Sequence, residues 1–315
     1  MDAASVGDDE LVLSDIHVGT SATSTGKQLA GYEVHTSRFE FLLSNEQTEA
    51  DERPDDESLD LDGDMRVVRS QRSQREVLHI EHAMATTLLD CGLQVWSGAM
   101  LMCDFVFSNL EQFAGKTVLE LGCGLGLTSL VLSMAGAKVY ATGCCVYVSP
   151  SALELLEQNS ALNAGHLRGE IYPRLLDWTN YDRFRNSGHS QQKFYWSPSE
   201  LAKMKQQVDI IVAADVVYDL ELCNVFCRTV EHFARDGLQQ KAVYISLEKR
   251  VNFWLASLSS GCPSYDIFHA WLSKLNLESW NIAQVDNDHF SQKFSSYERT
   301  SFMELWHLLP PPPLK

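Results

Sequence analysis

Long apolar runs are missing from this sequence: no window approaches the ~20 residues that cross a bilayer. Its start, Met1-Asp-Ala-Ala, leads into acids and not into a basic and then apolar leader. No Cys-x-x-Cys pair occurs among the eight cysteines; Cys144 and Cys145 are adjacent, and Cys223 and Cys227 lie one helical turn apart. That usage points to reduced, buried thiols and not to a disulfide frame or a zinc site, and so to a cytosolic or nuclear protein. Positive charge is also scarce. The net charge is −17, and residues 1–64 hold 17 acids against 3 bases, which leaves the remainder near neutral. A long electropositive track for nucleic acid is therefore not expected.

One stretch organises what is present: Thr117-Val-Leu-Glu-Leu-Gly-Cys-Gly-Leu-Gly-Leu-Thr-Ser-Leu130. Val118, Leu119 and Leu121 read as a buried parallel strand that ends in Gly122, Gly124 and Gly126, after which a helical pattern begins. Glycine permits a sharp turn and a close backbone approach, and the helix N-terminus that follows offers free N–H groups. The spacing is G-x-G-x-G around Cys123, not the G-x-G-x-x-G of dinucleotide sites. Glu120 sits inside the strand, where an acid is costly without a polar or cationic partner.

Elsewhere the chain alternates strand and helix. A helix is expected from Gln94-Val-Trp-Ser-Gly-Ala-Met-Leu101, with Trp96 near its start, to about Asn109. Leu127–Ala135 reads as a helix with Gly136 beyond it, and Lys138–Thr142 as a strand. Ser151–Asn163 reads as a helix capped by Ser149 or Ser151. Further strands are expected at Ile171–Leu176, Val208–Ala214, Ala242–Leu247, Trp280–Val285 and Thr300–Leu308, and helices at Leu220–Phe233 and Tyr265–Leu277. Asn180–Lys205 reads as a long polar insertion. Near the start, Val34–Leu43 has strand character but stands alone, free to pair with the core or with a partner. Thr48–Asp64 has the composition of a solvated, disordered linker. Residues 1–75 are thus set apart as an acidic extension, dispensable for folding, with protease cutting first between about residues 44 and 75. His79 and His82 lack the spacing and further ligands of a metal site.

Two strand ends face one crevice in a doubly wound sheet: residues 122–126, and Asp215-Val-Val-Tyr218 just after Ala214. Glu120-Leu-Gly-Cys-Gly-Leu-Gly126 resembles motif I of the seven-β-strand methyltransferases that use S-adenosylmethionine. The Val95-Trp96 element, Asp177-Trp178 after the third strand, Asp215–Tyr218 and Glu248-Lys-Arg250 resemble the lysine-methyltransferase-like branch of that superfamily. The resemblance spans roughly residues 76–309. It implies a Rossmann-like α/β fold, a mostly parallel seven-stranded sheet with one antiparallel strand, in a domain over 76–315. It also implies S-adenosylmethionine as cofactor, held by Trp96, Glu120, Gly122, Cys123, Gly124, Gly126, Asp177, Trp178 and Ala214. Asp215 would orient a lysine of a non-histone protein, and Tyr218 would wall its channel; no metal is required. A monomer with chaperone-type partners follows by the same resemblance. The sequence departs from the family where strand two should end in an acid for the ribose hydroxyls and has Gly143 instead. Two alternatives stay open, a methyltransferase-fold binding module of weakened cofactor affinity and an enzyme acting on a small molecule or nucleic acid. Val216 and Val217, in place of rigid prolines, argue against a base.

Overall fold

The apolar run at Val118–Leu121 forms an interior strand of a seven-stranded sheet in the computed structural model. The structure describes residues 11–18, 21–42, 75–144, 150–180, 193–237, 239–250, 252–254 and 259–312. In chain order the N-terminal part contains β1 (Leu11–Leu13), the short α1 (Asp15–Val18), β2 (Ala22–Leu29), β3 (Tyr32–Leu42), β4 (Arg75–Ala83) and β5 (Ala85–Thr87). Then come α2 (Ser97–Ser108), α3 (Leu110–Phe113), β6 (Thr117–Leu121), α4 (Leu127–Met134), β7 (Lys138–Cys144), α5 (Ser151–Leu162) and β8 (Ile171–Leu176). The second half contains α6 (Pro198–Gln207), β9 (Ile210–Ala214), α7 (Leu220–Arg235), β10 (Ala242–Glu248) and a small hairpin of β11 (Asn252–Trp254) and β12 (Ser259–Gly261). It closes with α8 (Pro263–Leu277), β13 (Asn281–Val285) and β14 (Met303–Leu309).

The sheet order is β13-β14-β10-β9-β6-β7-β8. Strands β6 to β10 run parallel, and β14 is antiparallel to both of its neighbours. Continuous apolar runs are what such strands need, because helices cover both faces. Alternate side chains divide accordingly. Val118, Val139 and Val212 enter a layer with α2, α4 and α5, whereas Leu119, Tyr140 and Ile211 enter one with α6, α7 and α8. The reversal of strand order between β6 and β9 leaves a crevice beyond their carboxyl ends, which positions the site.

Several expectations are corrected. The strand at Val34–Leu43 does not stand alone: β3 is the middle of a three-stranded antiparallel sheet with β2 and β4, in register from Val34 opposite Ala83 to Leu42 opposite Arg75. Val34, Phe39 and Phe41 are buried in the same core as α2, and the Phe41 and Phe107 rings stack at 4.8 Å. The polar insertion contains α6, entered through Ser197, whose side chain accepts from Glu200 N–H, and it buries Phe194 and Trp196. Helix α5 has Pro150 at its N-cap without a side-chain cap bond; the other expected cap, Ser149, lies outside the described residues, as does the acidic linker Thr48–Asp64. Leu88–Ser108 does have the length and apolarity of a membrane span, but it comprises a 3-10 turn, a break and α2, and is mostly buried in the fold.

The segment from β1 to α1 docks on the approach to α2. Ser14 N–H donates to Gln94 Oε1 (2.9 Å), Gln94 Nε2 donates to Val12 O (3.1 Å), and Val95 N–H donates to His17 Nε2 (3.0 Å). The His17 ring lies flat on that of His82, with centroids 3.8 Å apart. His82 is therefore a core residue.

Candidate active site

Beyond the carboxyl ends of β6 and β9 lies a cavity of about 480 Å³. Its floor is the turn after β6. Gly122, Gly124 and Gly126 all have positive φ (78°, 50° and 96°), a region L side chains rarely adopt. The reason for glycine here is mainly internal. A Cβ on Gly122 would come within 2.5 Å of Val216 Cγ1, and one on Gly126 within 2.5 Å of Leu156 Cγ. The turn is thus pressed between the β9 loop and α5, which fixes its shape before any ligand arrives. Gly126 is the N-cap of α4, whose first N–H groups point from the turn.

Glu120 borders this turn and is 1% exposed. Ser129 Oγ donates to its Oε2, and burial pushes the carboxyl up to about 7 against a weaker opposing effect of the Ser129 and Thr128 hydrogen bonds. Trp178 is buried under Gly122, its indole Nε1–H having no hydrogen-bond partner among the described residues. Trp96 caps the entry to α2 and donates from Nε1 to Cys91 O (2.8 Å).

The second strand end carries an unusual residue. Asp215 has φ +56°, left-handed for a non-glycine, and is 8% exposed. Gly98 N–H donates to its Oδ2 (3.0 Å), and Glu248 N–H donates to its Oδ1 (3.3 Å). Glycine at 98 leaves room for this approach, since a Cβ there would crowd Asp215 Cγ at 3.0 Å. Arg250 Nη2 completes the surroundings at 3.0 Å from Asp215 Oδ2. Asp215 does not cap the helix that follows it. Asp219 does, accepting from Leu222 N–H (2.8 Å), while Asp215 serves the N-terminus of α2 from across the cavity.

Trp96, Glu120, Gly122, Cys123, Gly124, Gly126, Trp178, Ala214, Asp215 and Tyr218 all line this one cavity. Asp177 does not: its Oδ1 accepts from Thr179 N–H (2.9 Å) and Thr179 Oγ1 (2.6 Å), so it shapes the turn after β8. Gly143 lies in the wall, where an added Cβ would meet Leu153 Cδ2 at 3.4 Å. Sequence reasoning gave no role to Arg250, Gly98 or Cys91, nor to Val12, Leu13 and Asp15, which bring the N-terminal segment into the same wall. Only the position of Glu248-Lys-Arg250 at the end of the neighbouring strand signalled the first of these.

The donor set fits S-adenosylmethionine in most respects. A buried carboxyl suits an ammonium, the free N–H groups of α4 suit a carboxylate, and the orphaned indole N–H and Trp96 suit an aromatic or polar guest. The ribose acid is the one partner without a counterpart at Gly143.

The comparisons agree with this geometry. Residues 72–256 match the family model described as lysine methyltransferase. Human methyltransferase-like protein 22 is 32% identical over 250 residues, which cover 77% of this chain and 60% of that protein. The mouse protein of the same name is 33% identical over 243 residues, covering 75% and 60%. Mouse protein-lysine methyltransferase METTL21E is 30% identical over 152 residues, covering 47% and 54%. The chain thus spans about 60% of the length of the first two relatives.

Proposed function

The chain belongs to the lysine methyltransferase family, and from that premise we propose that it transfers a methyl group from S-adenosylmethionine to the side-chain nitrogen of a lysine in another protein. The observation that carries this reading is the meeting of the glycine turn with Asp215 and Tyr218 in one cavity. Residues 76–315 form the catalytic domain, with the N-terminal segment as part of its wall. A non-histone acceptor, chaperone-type partners, a monomeric state and a nuclear or cytosolic location rest on the resemblance and composition alone.

S-adenosylmethionine, when bound, supplies an electrophilic methyl on a sulfonium, so no covalent enzyme intermediate is needed. Glu120, the α4 N-terminus, Trp178 and Trp96 would hold it. The chain's task is to bring a neutral lysine nitrogen into line with that methyl, where positioning alone lowers the barrier by several kcal/mol, up to about 7–11. Tyr218 walls the approach. Asp215 retains lone-pair directions for the incoming nitrogen, since its two oxygens accept two N–H groups and pair with one guanidinium by charge.

The test is incubation of the full chain with radiolabelled S-adenosylmethionine and cell extract, followed by gel separation and hydrolysis to amino acids. Label is expected in methyl-lysine of a protein band, and Asp215→Ala should reduce it at least tenfold, about 1.4 kcal/mol. Label in nucleic acid or small molecules would overturn the reading. A second reading, a binding module of weakened cofactor affinity, is favoured by Gly143. Calorimetry with S-adenosylhomocysteine, read beside label transfer, separates the two, because the module predicts weak or no binding together with no transfer to lysine.

A further inference from the structure

A lysine ammonium has a reference pKa near 10.4, and an unpaired carboxylate beside it would raise that value further. Asp215 is not unpaired. Arg250 Nη2 lies 3.0 Å from its Oδ2, and the guanidinium carbon stands 4.6 Å from the centre of the Trp96 ring. That Nη2 makes no well-aligned hydrogen bond, so Arg250 is held by charge and by the ring face. Three elements converge to make the arrangement: the ends of β9 and β10, and the first turn of α2 through Gly98. Both residues line the cavity.

The other groups that face Arg250 are Glu248, Cys91 and Tyr218. Asp15 adds negative charge near Glu248, and Asp90 adds it near Cys91. Burial and the charge of Asp215 push the Glu248 carboxyl up, while Arg250 opposes this. Lys249 also lines the cavity, but its Nζ lies over the Tyr265 ring at 4.4 Å, so Arg250 is the cation paired with Asp215, and a guanidinium stays charged throughout any working pH.

Resting on the lysine-methylation reading above, we propose that Arg250 is a positioning residue that neutralises Asp215, so that the incoming lysine sheds its proton to water and stays a free amine. The lone pair of that amine then forms the N–C bond to the methyl as the C–S bond breaks and its electron pair remains on sulfur. The nitrogen product is a methylammonium, whose extra proton is lost to water afterwards. Asp215 keeps its orienting lone pair, but the net charge beside the amine is close to zero. Without Arg250 the same carboxylate would hold the lysine as an unreactive ammonium.

The test is the pH profile of label transfer into extract protein, measured from about pH 6 to 10 with saturating S-adenosylmethionine. Wild type is compared with Arg250→Gln and with the double variant Arg250→Gln, Asp215→Asn. Arg250→Met, whose stem still covers Trp96, replaces Arg250→Gln if the latter does not fold. S-adenosylhomocysteine affinity by calorimetry reports on integrity. The single variant should move the midpoint of the alkaline-rising limb up by about one pH unit or more, with rates approaching those of wild type at high pH. The double variant should bring the midpoint back, because the pair is again neutral, and cofactor affinity should stay within about twofold in both. A uniform drop with an unmoved midpoint would overturn the proposal, as would a shift that the double variant fails to relieve. A gain in transfer at neutral pH in the single variant would also overturn it, marking Arg250 as an occupant that the lysine must displace. Wild type that labels no protein lysine removes the lysine reading together with this role; labelled lysine with superimposable profiles removes the role of Arg250 alone.

Discussion

Glu120 is the buried acid of the candidate site, and cofactor binding is expected to depend on its protonation. It is fully enclosed, and its folded-state pKa of about 7 lies above the ordinary value of 4.5. The group therefore favours folding below about pH 4.5, and that contribution is lost as pH rises through about 7. A ligand ammonium reverses the preference by stabilising the carboxylate. S-adenosylhomocysteine should accordingly bind more tightly as pH rises from 6 to 8, by up to about tenfold per unit below the pKa, with a proton released on binding. Calorimetry in buffers of different ionisation enthalpy reads both quantities. Glu120→Gln should weaken binding and flatten its pH dependence; unchanged dependence in that variant would remove Glu120 from the ligand. Glu120 was legible as a site residue because an acid inside an apolar strand run breaks a pattern. Arg250 was not, since its meaning depends on Asp215, 35 positions earlier, and on an indole from a third element.

Among elements, the docking of β1 and α1 onto the approach to α2 was the least legible. Its anchors are Ser14, His17 and Gln94, polar residues with no periodicity, and their partners lie about 80 positions away. By contrast β9 was readable as an unbroken apolar run, Ile210–Ala214, as a strand covered on both faces requires, and β8 matches its expected bounds, Ile171–Leu176, although Pro173 and Arg174 interrupt it at the edge of the sheet. The buried imidazoles make the docking acid-sensitive. Burial, the largest cause, lowers His17 to about 3 and His82 to about 4, and the nearby His35 lowers both further. A folded-state pKa below 6.5 means that the stabilising contribution is complete above about pH 6.5 and is lost as pH falls toward 4. The exchange rate of Val95 N–H, which donates to His17, should therefore fall less steeply than the intrinsic rate as pH drops from 7 to 5, a loss of protection, while Leu119 in β6 tracks the global fold. His17→Gln should lessen that loss at Val95. Equal behaviour of the two amides across this range would disconnect the imidazoles from the docking.

At the scale of the molecule, the acidic stretch joins two parts that are already bound to each other. Residues 43–74 lie outside the described residues, yet β3 and β4 on either side of them pair from Val34 opposite Ala83 to Leu42 opposite Arg75. Phe39 and Phe41 are 0% and 1% exposed, in the core shared with α2. Residues 11–42 thus pack into that core, and we expect folding to require them. A cut in the acidic stretch should leave two pieces that co-elute on gel filtration and still bind S-adenosylhomocysteine, because Val12, Leu13 and Asp15 remain in the cavity wall. Phe41→Ala leaves a cavity between Phe107 and Phe294 and should cost about 3–5 kcal/mol, enough to let the N-terminal piece dissociate once the covalent link is cut. The separated 76–315 piece would expose Leu78, Ile80 and Phe107 and lose part of its cavity wall, so it should aggregate or bind the ligand at least tenfold more weakly, about 1.4 kcal/mol. A 76–315 fragment with the thermal midpoint and ligand affinity of the full chain would show that the N-terminal strands decorate the fold and do not complete it.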